Sequence, residues 1–138
     1  MLSVEELEDR LIDLAFSEDI GDGDHTTLCC IPEDATGSSK LLIKEDGILA
    51  GIEVAKKVFA RFDPTMKVEV LMHDGSRVKK GDVAMIVSGK TRSLLQTERL
   101  MLNIMQRMSG IATMTNVYVE KLKGTKTRVL DTRKTTPG

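Results

Sequence analysis

A chain of 138 residues is long enough to bury one core and too short for two full-sized domains. Its 20 Lys and Arg against 21 Asp and Glu leave a net charge of -1, so neither nucleic acid nor an anionic membrane surface has an electrostatic claim as the main partner, and any basic site must be local. Apolar residues at 41% and charged ones at 30% describe a soluble globular chain, and its longest unbroken apolar run, Val83 to Val87, is too short to span a bilayer.

The chain opens with Leu2, Ser3 and a run of acids, without the basic flank and apolar stretch of a secretory signal, so a cytoplasmic protein is expected. Ser3 and Glu6 form a capping box, and Leu7, Leu11 and Leu14 recur at helical spacing, which predicts a helix from about Val4 to Phe16. Ser17 to Gly37, rich in Gly, Asp and Pro, reads as an ordered loop with little regular structure. Within it, adjacent Cys29 and Cys30 fit neither a disulfide framework nor a C-x-x-C site and are expected as buried or half-buried thiols.

Ser38 to Lys44 is predicted as a strand that turns at Glu45-Asp46-Gly47 and returns through Ile48 to Ala50 as a hairpin. Gly51 opens a second helix, closed by Phe62-Asp63-Pro64, because the residue before proline avoids the α region. Met66, Val68 and Val70 alternate with charged residues as a half-buried strand. Turns at Asp74-Gly75 and Gly81-Asp82 then bracket a short basic strand and lead into an apolar one. A small, largely antiparallel sheet results.

From Thr91 the pattern becomes helical, with Leu94, Leu95, Leu102, Met105 and Met108 as one apolar stripe and Gly110 as a break or bend. A further helix, about Ile111 to Leu122, ends at Gly124, and a last strand is expected around Val129 and Leu130. A strand in that position normally leads into further helix and strand units, so the chain is expected to be the front part of a larger protein.

Three cations stand out as anion-binding candidates. Arg133 and Lys134, followed by Thr135 and Thr136, would lie at the carboxyl end of the last strand, where α/β folds gather their ligands. Arg supplies a bidentate fork, Lys a point charge and Thr a neutral donor, although the same string also reads as a solvated basic turn. Arg99 reads either as a salt-bridged surface arginine or as an anion-binding finger at an oligomer interface. Asp19, Asp22, Asp24 and His25 are turn residues first and lack the spaced loop of a calcium site, so no metal site is assigned.

Taken together, EDIGDGDHTT, GILAGIEVAKKVF, DGSRVKKGD, QTERLMLNIMQRMSGIAT and LDTRKTTPG resemble the quinolinate phosphoribosyltransferases, from about Phe16 to Gly138. The resemblance implies an α+β fold: an N-terminal open-faced sandwich or hammerhead-like domain over residues 1–110, then the start of a truncated (β/α) barrel over 111–138. It implies a pentosyltransfer reaction of NAD biosynthesis. Quinolinate and phosphoribosyl pyrophosphate give nicotinate mononucleotide, pyrophosphate and CO2, with Mg2+ held by residues beyond this segment, in a homodimer or hexamer. It assigns Thr132, Arg133 and Lys134 to substrate binding, Arg99 to the active site of the adjacent subunit, and Asp22 to Thr27 to ordering the loop near that subunit.

A (β/α) barrel takes about 250 residues, so the chain alone is expected to be inactive. Two alternatives stand beside this reading. A molybdenum-associated phosphoribosyltransferase paralogue (ModD-like) shares much of the pattern. A lipoyl- or biotinyl-carrier domain would explain HDGSRVKKGDVAMIVSG, although Lys79, Lys80 and Lys90 lack the usual setting of a modified lysine.

Overall fold

The computed structural model describes residues 1–136; Pro137 and Gly138, the end of the LDTRKTTPG segment, lie outside the described residues. Helix α1 (Val4–Ile20) starts at the expected capping box, with the Ser3 amide donating to Glu6 Oε2 at 2.7 Å and the Glu6 amide to Ser3 Oγ at 3.2 Å. It runs one turn beyond the predicted end, and its inner face is not the leucine stripe. Leu7, Leu11 and Leu14 are exposed, whereas Ile12 is buried and Phe16 packs on Phe62 with ring centroids 5.1 Å apart. Ion pairs supply the rest of the docking: Arg61 donates to Asp9 at 3.2 Å and to Asp13 at 2.5 and 2.6 Å, and Lys57 pairs with Glu8.

Strands β1 (Thr36–Leu42), β3 (Lys67–Val70) and β5 (Val83–Lys90) form an antiparallel sheet in the order β1-β5-β3. The register passes from Leu41↔Met85 to Leu42↔Val83 and skips Ala84, whose carbonyl instead accepts from the amides of Leu71 and Met72. This bulge turns Ala84 and Met85 both inward, where strict alternation would expose one of them.

The segment after β1 does not fold back as the expected hairpin. Strand β2 (Gly47–Ile48) pairs with β4 (Arg77–Val78) in a separate ladder. Two cross-connections impose this: the Lys80 amide donates to Asp46 Oδ1 at 2.8 Å, and Leu49 exchanges backbone bonds with Ser76 and Gly75 at 2.9 and 2.8 Å.

Helix α3 (Ile52–Phe62) buries Ile52, Ala55, Val58 and Phe59 at the centre of the core. Its N-cap, Gly51, has no side chain to cap with, yet only glycine suits the place: φ is 107°, and a Cβ would meet Met105 and Met108 at 3.2 Å. The capping oxygens come from Asp74 on another loop, which accepts from the amides of Ile52 at 2.8 Å and Glu53 at 3.3 Å. Asp74→Ala is therefore expected to lower stability by about 1 kcal/mol, read by urea unfolding followed by far-UV circular dichroism; an unchanged midpoint would mean that water replaces the cap.

Helix α4 (Thr91–Lys121) is one unbroken element of 31 residues, not two helices separated at Gly110. An interior glycine costs a helix about 1 kcal/mol relative to alanine. Here strand β2 and the residues just after it clasp the helix on both sides of that position. The Ala50 amide donates to Ser109 Oγ at 3.0 Å, and the Ile48 amide to Thr113 Oγ1 at 2.9 Å. The clasp is tight at Gly47, where a Cβ would stand 2.6 Å from Thr113 Oγ1.

The buried stripe of α4 also differs from the expected one. It comprises Ser93, Thr97, Leu100, Met101 and Met105, while Leu95 and Leu102 face solvent. Two hydroxyls are tolerated inside because Thr97 Oγ1 donates back to the Ser93 carbonyl at 2.7 Å and Ser93 Oγ donates to Asp63 Oδ2 at 2.6 Å. No described helix is long and apolar enough to cross a membrane.

Candidate anion-handling site

The segment expected to be an irregular loop carries a short helix, α2 (His25–Cys30). Asp24 caps it, accepting from the Thr27 amide at 3.1 Å and the Thr27 hydroxyl at 2.5 Å. That hydroxyl, then the amide, hold the Asp24 carboxyl below its ordinary range, helped by the nearby charges of Arg99 and His25. Thr27 is the buried residue of α2, so Cys29 and Cys30 point outward and are exposed, contrary to the buried thiols expected.

The other end of α2 is held by a residue that the sequence did not single out. Arg92 donates from Nε to the Ile31 carbonyl at 2.8 Å and from Nη2 to the Leu28 carbonyl at 3.2 Å, satisfying acceptors at the end of α2. The available signal was its place: a cation in the first turn of a helix opposes the macrodipole, so its charge serves something other than α4 itself.

Between the end of α1, helix α2 and the outer face of α4 lies an open cleft of about 610 Å³, bordered by Asp19, Gly23, Asp24, His25, Glu98 and Arg99 among others. Arg99 is 75% exposed and donates from Nη1 to Asp19 Oδ1 at 3.3 Å; its Nε and Nη2 make no hydrogen bond among the described residues. The structure thus brings Arg99 against the Asp22 to Thr27 segment. The cleft itself is acidic, with Asp19, Asp24 and Glu98 against a single guanidinium.

The second group of candidates lies elsewhere. Thr132, Arg133 and Lys134 are exposed and border no part of the Arg99 cleft. The Lys134 amide donates to Thr132 Oγ1 at 3.3 Å, and Arg107 Nη2 donates to Thr136 Oγ1 at 3.0 Å, which rests this segment on α4. The strand expected at Val129 and Leu130 is not formed: both side chains are exposed, and no described strand pairs with them. Without a ladder partner an extended segment gains no β hydrogen bonds.

The acidic residues near α2 do not fit a magnesium ion. No group of three or more His, Cys, Asp or Glu side chains converges among the described residues, both Asp24 oxygens accept from Thr27, and Asp22 faces His25 Nε2 at 3.4 Å.

Comparison with known proteins decides the family. Residues 24–109 match the model for the quinolinate phosphoribosyl transferase N-terminal domain, and residues 111–138 match the C-terminal domain of the same family. The chain belongs to the quinolinate phosphoribosyltransferase family. Quinolinate phosphoribosyltransferase [decarboxylating] 1b of Nicotiana tabacum is 46% identical over 129 residues, which are 93% of this chain and 36% of the relative. The chloroplastic nicotinate-nucleotide pyrophosphorylase [carboxylating] of Oryza sativa is 45% identical over 93% of this chain and 34% of its own length. NadC from Streptococcus pyogenes superposes with a TM-score of 0.92 at 37% identity, over 99% of this chain and 49% of NadC. The chain thus spans about a third of these curated relatives and about half of that structure. The mixed α+β architecture agrees with NadC, and no closed barrel is present among the described residues.

The family assignment also disposes of the carrier-domain alternative. Lys79 and Lys80 have their amides bound by Asp82 and Asp46, and Lys90 is the N-cap of α4, so none of the three sits at a free hairpin tip.

Proposed function

We propose that this chain supplies the N-terminal portion of a quinolinate phosphoribosyltransferase, in which the pyridine nitrogen of quinolinate bonds to the anomeric carbon of phosphoribosyl pyrophosphate as pyrophosphate departs. Loss of the 2-carboxylate as CO2, with a proton taking its place on the ring, gives nicotinate mononucleotide. One substrate is a dianion and the other a polyphosphate, so catalysis needs fixed cations that position them and offset their charge. Arg133 and Lys134, with Thr132, are the share of that clamp carried by the C-terminal segment.

One observation carries the role of Arg99: its guanidinium is exposed with two donor nitrogens unengaged among the described residues, yet it stands in a cleft where the carboxylates of Asp19, Asp24 and Glu98 predominate. A dianion is repelled from such a cleft, so the anion that Arg99 serves lies outside it, in a pocket completed by a second copy of the chain. The proposal therefore includes a homodimer or larger ring. Exposed Leu95 and Leu102 flank Arg99 on α4 and would be covered by that assembly. Magnesium belongs to the proposed reaction through groups other than the acidic residues around α2, and the described residues carry no step through it.

The test is a chimera joining residues 1–138 to the remaining C-terminal portion of Streptococcus pyogenes NadC. It is expected to release pyrophosphate from quinolinate and phosphoribosyl pyrophosphate, while residues 1–138 alone release none. A folded, assembled chimera without turnover, or robust turnover by residues 1–138 alone, would overturn the proposal.

A further inference from the structure

The geometry points to Asp19 as a positioning residue for Arg99, an inference that rests on the proposed role of Arg99. Asp19 lies in the last turn of α1, which contains no basic residue, and a carboxylate there faces the negative end of the helix macrodipole. Local helix physics therefore disfavours an acid at this place. Its side chain is nonetheless only 24% exposed, drawn in against the cleft wall, and its one charged partner among the described residues is Arg99, 80 residues away on α4. A locally disfavoured residue with a single long-range polar contact is the pattern of a functional constraint.

The division of labour within the cleft follows from the hydrogen bonds. Asp24 has both oxygens committed to Thr27 and acts on Arg99 only through its field. Glu98 neighbours Arg99 in sequence but makes no hydrogen bond to it among the described residues. Among the described residues Asp19 alone hydrogen-bonds the guanidinium, and it does so through one terminal nitrogen at 3.3 Å. That single contact limits the swing of a long side chain while leaving Nε and Nη2 as a two-pronged donor for a carboxylate. Asp19 pre-orients the fork and touches no substrate.

The test uses Asp19→Asn and Asp19→Glu in the NadC chimera, with Arg99→Ala as the reference. Asp19→Asn is expected to raise KM for pyridine-2,3-dicarboxylate about three- to fivefold, the range a part-exposed ion pair is worth, with KM for phosphoribosyl pyrophosphate unchanged. Asp19→Glu should restore at least half of the loss. The melting temperature of Asp19→Asn should stay level or rise, because the helix-end repulsion is relieved; a merely structural aspartate would lower it. An unchanged KM in Asp19→Asn beside a raised one in Arg99→Ala overturns the positioning role alone, as does a lowered melting temperature. An unchanged KM in Arg99→Ala removes the proposed role of Arg99 and this inference with it.

Discussion

Arg99→Ala in the NadC chimera is expected to lower kcat/KM for quinolinate by about a hundredfold or more. Truncating a cation that pairs with a desolvated substrate carboxylate costs on the order of 3 kcal/mol, and each 1.4 kcal/mol is about tenfold in rate. The side chain is 75% exposed in the isolated chain and its ion pair with Asp19 is part-exposed, so its removal should barely move the melting temperature. That separation of effects is what distinguishes a functional arginine from a structural one. Arg99→Lys should fall between wild type and Ala, because an ammonium keeps the charge and loses the planar fork. Steady-state kinetics with each substrate varied in turn checks this, and a loss smaller than about fivefold in Arg99→Ala would place the anion site elsewhere.

Phe59→Ala is expected to destabilise the fold by about 3 to 5 kcal/mol, a large part of the roughly 5 to 15 kcal/mol that holds a domain together. Phe59 is 2% exposed and is the largest of the fully buried side chains. It lies where α3 meets α4 and the sheet, and it borders an apolar hollow of about 210 Å³ edged by Gly37, Leu94 and Met101. Deleting the ring would enlarge that hollow into the core and let water reach the inner face of α3. Urea unfolding followed by far-UV circular dichroism measures the loss, since the chain has no Trp and one Tyr. A change below about 1 kcal/mol would show that α3 is not seated by this ring.

How much of this was legible beforehand depended on the range of the interaction. The capping box at Ser3 and Glu6, the alternation from Met66 to Val70 and the stop at Phe62-Asp63-Pro64 each act over a few residues, so the first helix, β3 and the end of α3 could be placed from the chain alone. The family strings likewise named candidate site residues, because they give residue types in a fixed order without reference to space.

Errors came where a distant group overrode a local preference. Gly110 would bend an isolated helix, but Ser109 and Thr113 bind Ala50 and Ile48, about 60 residues upstream, and keep α4 continuous. Ser93 and Thr97 look like surface residues until their hydroxyls find Asp63 and a backbone carbonyl, which moves the buried stripe away from Leu95 and Leu102. Ile48 paired with β4 because Asp46 and Leu49 were tied to the loops around that strand. Cys29 and Cys30 were turned outward once Asp24 and Arg92 had clamped the two ends of α2.

The sequence by itself determined the starts of α1, α3 and α4, the alternation of β3 and the family, and it named the candidate cations. Only the tertiary structure decided which of those cations faces a carboxylate. Hydrophobic period and capping are encoded within a few residues, whereas the meeting of Asp19 with Arg99 depends on how α1 and α4 pack, and that is a property of the whole core.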